Sequence, residues 1–356
     1  MPNSKIAGIG FYVPEKVVTN HDLARHMDTS DEWIQERSGI VERRYVNRHE
    51  DTTATIGAKA ARIAIERAGI DKEEVDFIIF ATLSPDYYFP GCGVLAQREL
   101  GISKTEIGAL DIRNQCSGFV YGLTVADQFV RSGMYKNVLL IGAEVHSIGL
   151  DFTTRGRNVT ALFGDGAGAV VIQPTEEKGK GILTSKLHSD GTYAEKLAYI
   201  NPGGHSGYHA KKMGDDTDFG YDPDQEFGGL FLTQHMMDNA MTFPNMDGKL
   251  VFKAAVTKFP EVIMEALNDQ GYTTEDIDLF IPHQANLRIS QLVQRRLKLR
   301  DDQVWNNIQR YGNTTAATIP IALCEAWEAG KVKEGDLICI AAFGSGFTWG
   351  ATLIRW

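Results

Sequence analysis

The feature that most restricts what this chain can fold into is an internal repeat with a period of about half its length. The segment Ala58 to Gly69, AKAARIAIERAG, spaces its apolar residues as one face of a helix and leads through Glu73 and Glu74 into the apolar run VDFIIFAT from Val75. In the second half, Phe259 to Gly271, FPEVIMEALNDQG, does the same and leads through Glu275 and Asp276 into IDLFIPHQ from Ile277. Asp76 and Asp278 therefore correspond, 202 residues apart. The order continues: VLAQRELG from Val94 resembles ISQLVQRRL from Ile289, the helical stretch 118–133 resembles 316–330, and VLLIGAE from Val138 resembles LICIAAFG from Leu337. Leu139 and Leu337 correspond at an offset of 198. Helix, strand, helix, helix, strand thus occurs twice, which is the mark of a duplicated domain rather than of a short-period solenoid.

Strand-length apolar runs alternating with helices are what sheets covered by helices on both faces require. The repeat predicts an α/β protein of two similar halves, 1–176 and 177–356, with mostly parallel mixed sheets, meeting at about residues 174–184, where PTEEKGKG is rich in turn residues. The stretch 203–245 has no counterpart in the first half. Its aromatics, Tyr208, Phe219, Tyr221, Phe227, Phe231 and Phe243, argue against disorder and for an excursion, helical in part from Leu230 to Met241, that covers something.

Composition narrows the function classes. A net charge of −10 leaves no diffuse basic footprint for nucleic acid. The opening MPNSKIAGIGFYVP reads as a first strand rather than a secretory leader, and no apolar stretch is long enough to span a membrane. Four cysteines, Cys92, Cys116, Cys324 and Cys339, form no C-x-x-C pair, as expected of reduced thiols in a cytoplasmic protein without a metal site.

Three residues stand where chemistry is possible. Cys116, in DIRNQCSGFVYGL, falls between a strand and a helix start, where the helix dipole is expected to lower its pKa towards the nucleophilic thiolate. The bland alternative for any one cysteine is a small buried hydrophobe. His283 follows the buried strand IDLFI at its C-terminal end, where ligands collect in α/β sheets; His146, after VLLIGAEV, is the weaker competitor. The offset of 198 sets Thr314 opposite Cys116, so Asn313 is expected to face the cysteine across the junction of the halves. The turn Gly344-Ser345-Gly346 lets backbone approach closely and, with the Cys116 N–H, could form an oxyanion hole.

In order along the chain, TSDEWIQERSGI (29–40), CSGF (116–119), LFGDGAGA (162–169), PHQANLRI (282–289), YGNTTAA (311–317) and FGSGFTWG (343–350) resemble the motifs of the β-ketoacyl-acyl-carrier-protein synthase III family. The resemblance covers the chain apart from 203–245. It implies a thiolase-like fold layered α-β-α-β-α, with Cys116, His283 and Asn313 as the catalytic set. It further implies decarboxylative condensation of an acyl-CoA with malonyl-acyl-carrier-protein, without a cofactor or metal. By the same resemblance the N–H groups of Cys116 and Ser345 form the oxyanion hole. Trp33, Arg37 and Asn286, with Arg157 or Arg155, bind CoA. Lys253, Arg288, Arg295 and Arg296 face the acyl carrier protein. Phe89 closes the acyl pocket of the other protomer of a homodimer. Asn114 and Gln115, where simple members carry small residues, and the length of 203–245 depart from the pattern. Both bear on the acyl group, so a specialised starter-unit enzyme is the alternative. A thiolase would need a second cysteine near the last Gly-rich turn, and Cys339 lies inside the preceding strand. A silent carrier-binding subunit would have lost Cys116.

Overall fold

The long apolar runs become strands because each is covered on both faces. The computed structural model describes residues 3–203, 205–214, 216–222, 224 and 231–356. In the first half, β1 (Asn3–Tyr12), β2 (Phe77–Ala81), β3 (Gly108–Ile112), β4 (Val138–Glu144) and β5 (Gly166–Thr175) form one sheet in the order β1-β5-β4-β2-β3. In the second, β6 (Gly181–Ser189), β7 (Leu279–Pro282), β8 (Leu337–Gly344) and β9 (Thr348–Arg355) form the order β6-β9-β8-β7. The two orders are the same, strand for strand. The counterpart of β3 is reduced to a single parallel bridge between Phe280 and Val304.

Both sheets are mixed. The parallel pairings are β2 with β3, β2 with β4, and β7 with β8; the outer pairings are antiparallel. Parallel pairs are fewer than the apolar runs suggest, because antiparallel β5 and β9 are also buried on both faces and read as the same kind of run.

The helices make three layers around the two sheets. The central pair, α4 (Gly118–Arg131) and α7 (Thr318–Glu328), lies between the sheets, where Phe119, Leu123, Val130, Ile319 and Leu323 meet strands from both halves. Outside the first sheet lie α2 (Thr53–Ala68) and α3 (Cys92–Leu100); outside the second lie α5 (Gly248–Gln270) and α6 (Leu287–Leu297). This is the expected α-β-α-β-α stack. Each large apolar side chain closed off in it contributes about 1.5–3 kcal/mol. Capping fixes the ends: the Thr52 hydroxyl accepts from the Thr55 N–H at the start of α2, and Gly69 ends it at φ +68°. A shorter helix, α1 (Asp31–Ser38), is capped by Ser30 and lies outside the sheets.

The strands β5 and β6 are joined by Glu176–Lys180, within the predicted junction. At the base of the excursion Leu197–Ala198 pairs with Asn245–Met246. Within it, Ser206–Lys212 and Gln234–Asp238 are helical and Phe219 and Met236 are buried. Leu230, where the predicted helix begins, lies outside the described residues. Among the described residues no helix is long and apolar enough to cross a membrane.

Candidate active site

The repeat brings two helix starts together. One turn, Gln115–Ser117, precedes α4, and one turn, Thr315–Ala317, precedes α7, 200 residues on. The register is therefore not the predicted one: Ala316, rather than Thr314, is the twin of Cys116. Offsets of 202 and 198, read from flanking elements, straddle the true value because small length changes between elements cancel at the turn. The turns touch each other and cross over. The first packs on the end of β8 and the second on the end of β4. Two glycines permit the crossing. A Cβ on Gly344 would stand 2.7 Å from the Cys116 Cβ, and one on Gly142 would stand 2.6 Å from the Ala316 carbonyl oxygen.

Cys116 is buried, 8% exposed, at this meeting point. Burial pushes its thiol up to about 12, and the nearby Glu144 carboxylate adds to the rise; the N–H groups of Cys116 and Ser345 pull the other way. The expected lowering by the helix start is thus overturned. Removing the sulfur from water outweighs a dipole made by two N–H groups. Gln115 holds the turn at φ +44°, and its side-chain oxygen accepts from the Ser345 hydroxyl at 3.4 Å.

His283 leaves the end of β7 with its N–H donating to the Ala341 carbonyl at 2.8 Å. Its ring is buried, which lowers its pKa to about 3 and keeps it neutral. Nδ1 lies 2.6 Å from the Thr318 hydroxyl, which in turn lies 2.9 Å from the Thr315 carbonyl. Nε2 is buried with no hydrogen-bond partner among the described residues. Asn313 enters by its backbone N–H donating to the Leu162 carbonyl at 2.8 Å, and its side-chain oxygen accepts the Thr315 N–H at 2.9 Å. Thr315 thus bonds the Asn313 amide through its N–H and serves His283 through its carbonyl. It does so at φ +50°, a left-handed conformation costly for a β-branched residue.

Sequence reasoning passed over Thr315, Thr318 and Glu144. The last had a signal: it is a carboxylate closing the fully buried strand VLLIGAE. Glu144 is fully buried and accepts from the Thr82 and Ser84 hydroxyls at 3.0 and 2.7 Å and from the Leu83 and Ser84 N–H groups. His146, weighed as a competitor, lies 2.7 Å through Nε2 from the Thr315 hydroxyl and packs on the Phe163 ring.

The other expected site residues fall into separate groups. Arg37 and Arg157 lie with their guanidinium carbons 4.3 and 5.3 Å from the Trp33 ring centre, and the Asn286 amide donates to the Arg37 carbonyl at 2.8 Å. Arg155 instead pairs with Asp151 at 2.7 Å, so the structure gathers Arg157 and not Arg155 at the Trp33 ring. Lys253, Arg288, Arg295 and Arg296 are all exposed on α5 and α6, and the Arg296 guanidinium also donates to the Val256 carbonyl and ties these helices together. Phe89 is 81% exposed, and neighbouring Tyr88 stacks on Phe231 of the excursion with ring centres 5.8 Å apart. Among the described residues no group of three or more His, Cys, Asp or Glu is placed to hold a metal ion.

Known proteins match this chain along nearly its whole length. Residues 110–191 match the family model for 3-oxoacyl-[acyl-carrier-protein (ACP)] synthase III, and residues 267–356 match its C-terminal model. The beta-ketoacyl-[acyl-carrier-protein] synthase III of Sulfurovum sp. is 42% identical over 97% of this chain and 94% of its own. That of Caldanaerobacter subterraneus is 42% identical over 99% of this chain and 97% of its own. The crystal structure of 3-oxoacyl-[acyl-carrier-protein] synthase III from Aquifex aeolicus is similar with a TM-score of 0.84 and 41% identity, covering 99% of this chain and all of that one.

Proposed function

The chain belongs to the 3-oxoacyl-[acyl-carrier-protein] synthase III family of condensing acyltransferases, and we propose that it loads an acyl group from acyl-CoA onto Cys116 and condenses it with malonyl-acyl-carrier-protein to initiate fatty-acid synthesis. The observation that carries this reading is the crossing of the two turns, which buries the Cys116 thiol between them, with His283 bonded through Nδ1 to Thr318 beside the second turn and its buried Nε2 left without a partner among the described residues.

In the first step the Cys116 proton passes to Nε2 of neutral His283 as sulfur attacks the thioester carbonyl. The N–H groups of Cys116 and Ser345 hold the tetrahedral oxyanion. Its collapse expels CoA thiolate, which recovers the proton. In the second step Nε2–H and the Asn313 amide N–H donate to the malonyl thioester oxygen. The bond to the carboxylate breaks, carbon dioxide leaves, and the electron pair becomes an enolate. The enolate carbon attacks the acyl-cysteine carbonyl, and collapse releases the 3-oxoacyl carrier and the Cys116 thiolate. The two steps ask opposite things of Nε2, first a lone pair and then a hydrogen. The Thr318 hydroxyl fits either tautomer: donating to the Thr315 carbonyl it accepts from Nδ1–H, and donating to Nδ1 it leaves the hydrogen on Nε2, with Nδ1 releasing a proton and Nε2 taking one up by exchange with water between the steps. Because Asn313 oxygen is occupied by the Thr315 N–H, its amide hydrogens remain for substrate.

Trp33, Arg37, Arg157 and Asn286 form the CoA site, with the indole as a stacking platform and the two guanidiniums for phosphates. Lys253, Arg288 and Arg295 supply positive charge for an acidic carrier. The protein acts in the cytoplasm as a homodimer; the pairing of two chains is supported by the edge of β3, unpaired among the described residues, beside exposed Tyr87, Tyr88 and Phe89.

Intact-mass measurement after mixing with a panel of acyl-CoAs tests the reading. One acyl group should add to the protein and none to Cys116→Ala, and malonyl-carrier should then release carbon dioxide. A protein that takes no acyl group from any donor is not this enzyme.

A further inference from the structure

Helix α7 carries two polar side chains that reach the segments bearing His283 and Asn313. Thr318, in its first turn, bonds Nδ1 of His283 at 2.6 Å. Glu325, about two turns further on, is buried, and its carboxylate faces the short helix Ile308–Tyr311, which ends two residues before Asn313. One oxygen accepts from the Tyr311 hydroxyl at 2.6 Å. The other accepts from the Asn307 amide at 2.7 Å and the Arg310 guanidinium at 3.0 Å. From the opposite side the side-chain oxygen of Gln284, next in the chain to His283, accepts the N–H groups of Asn307 and Ile308 at 3.0 and 3.2 Å. These bonds close a circuit: His283 to Thr318, along α7 to Glu325, across to Asn307–Tyr311, and through Gln284 back to His283.

We propose that Glu325 is a positioning residue for Asn313, and so weighs more on decarboxylation and condensation than on the loading of Cys116. Its three donors all lie within Asn307–Tyr311, so one carboxylate fixes that segment as a unit. Between the segment and Asn313 stands only Gly312, at φ +63° and ψ −158°, a conformation open essentially to glycine alone. The backbone of Asn313 is held on its far side, where the Leu162 carbonyl accepts its N–H at 2.8 Å and the Gly164 N–H donates to its carbonyl at 3.1 Å. On the near side a glycine gives no fix of its own, because its backbone is the freest in the chain. Tyr311, tied down by Glu325, supplies that anchor and keeps the Asn313 amide aimed at the acceptor thioester. His283 is placed differently. Its ring is held by Thr318 and its N–H by the Ala341 carbonyl, and neither belongs to the clamped segment. Its link to that segment runs through neighbouring Gln284. Acylation, which uses His283 and not Asn313, therefore depends on Glu325 less than decarboxylation, which uses both.

Because this role rests on the assignment of Cys116, His283 and Asn313 above, the test separates the two. Glu325→Gln brings an amide NH₂ among three donors. Tyr311→Phe is the milder variant, removing one hydroxyl from the clamp. Acylation by an acyl-CoA is timed by intact mass. Carbon dioxide release is followed after malonyl-carrier is added to the acylated enzyme, and circular dichroism confirms the fold. Carbon dioxide release should fall on the order of 10- to 100-fold in Glu325→Gln and about tenfold in Tyr311→Phe, the usual cost of a small misplacement of a catalytic group. Acylation should fall at least about fivefold less in each. Asn313→Ala gives the sharper comparison. Residues that act through one another are not additive, so either variant added to Asn313→Ala should slow carbon dioxide release by no more than about twofold further. A general loosening of the fold would instead multiply in full with Asn313→Ala. Wild-type carbon dioxide release in both variants, acylation slowed as much as decarboxylation, or full multiplication with Asn313→Ala would overturn the role of Glu325. A wild-type protein that never acylates, or an Asn313→Ala protein that releases carbon dioxide at the wild-type rate, would overturn the site assignment.

Discussion

At Cys116 the decisive quantity is solvation. A thiol at the start of a helix invites the expectation of a low pKa, but here burial raises it to about 12. Below such a pKa the thiolate fraction climbs about tenfold per pH unit. Alkylation of the free enzyme by iodoacetamide should therefore rise steadily from pH 7 to pH 10; a plateau reached by pH 8 would contradict the raised pKa. The buried imidazoles carry the opposite sign. His283 and His146 both fall from 6.5 to about 3, so between those values the unfolded chain binds protons that the folded chain does not. Stability consequently rises with pH through that window and is lost as pH falls from about 6.5. Glu144, raised to about 7, has the reverse slope between 4.5 and 7, since there the folded chain holds the extra proton. Urea titrations at pH 4 to 7 should show a shallower rise with pH in His283→Gln than in wild type, by up to about one proton. Cys116 and His283 stood out in the sequence as candidates because each begins or ends an apolar element, and Asn313 because of the repeat. Thr315 and Thr318 did not, because their hydroxyls bond His146 and His283, both distant in sequence, and threonines near a helix start are common.

At the scale of elements, the repeat exposed the helices α2 to α7 and the strands β2, β4, β7 and β8, but not β5, β6 or β9, nor the register of the turn that matters. Apolar periodicity dates an element to within a residue or two, whereas the crossing of the turns depends on single-residue contacts at Gly142 and Gly344. Those contacts make a prediction at the same scale. Gly142→Ala would press a methyl on the Ala316 carbonyl, where only 2.6 Å is free, and backbone cannot move aside as a side chain can. Overpacking of this kind costs about 1–3 kcal/mol. Urea unfolding should show that loss, whereas Gly133→Ala, at a helix end with nothing within 4 Å, should show only the strain of its φ of +76°. If Gly142→Ala were as stable as wild type, the turn would not be held as tightly as this packing requires. The excursion was legible only in outline: with no twin and no regular period, its aromatics pointed to packing, which its buried Phe219 and Met236 show.

At the scale of the whole molecule, assembly turns on the edge of the first sheet. Strand β3 pairs only with β2 among the described residues, and Leu110 on it is 39% exposed. The Asp111 carboxylate accepts from the N–H groups of Cys92 and Gly93, which fixes the end of the Tyr87–Phe89 loop beside this free edge. An unpaired edge flanked by exposed rings fits a second copy related by a two-fold axis, and light scattering should give about 79 kDa, twice the 39.3 kDa of one chain. Phe89 would then serve its neighbour, and a mixture of two impaired proteins distinguishes that from service to its own chain. Cys116→Ala has no nucleophile, and Phe89→Ala has no plug. If Phe89 crosses the interface, a mixed dimer contains one Phe89→Ala chain whose intact Cys116 is completed by the Phe89 of the Cys116→Ala chain. Refolding the two together produces about half mixed dimers with one complete site each, so about a quarter of wild-type activity should return. If Phe89 instead lines its own pocket, the chain with the cysteine still lacks its plug in every combination, and mixing restores nothing.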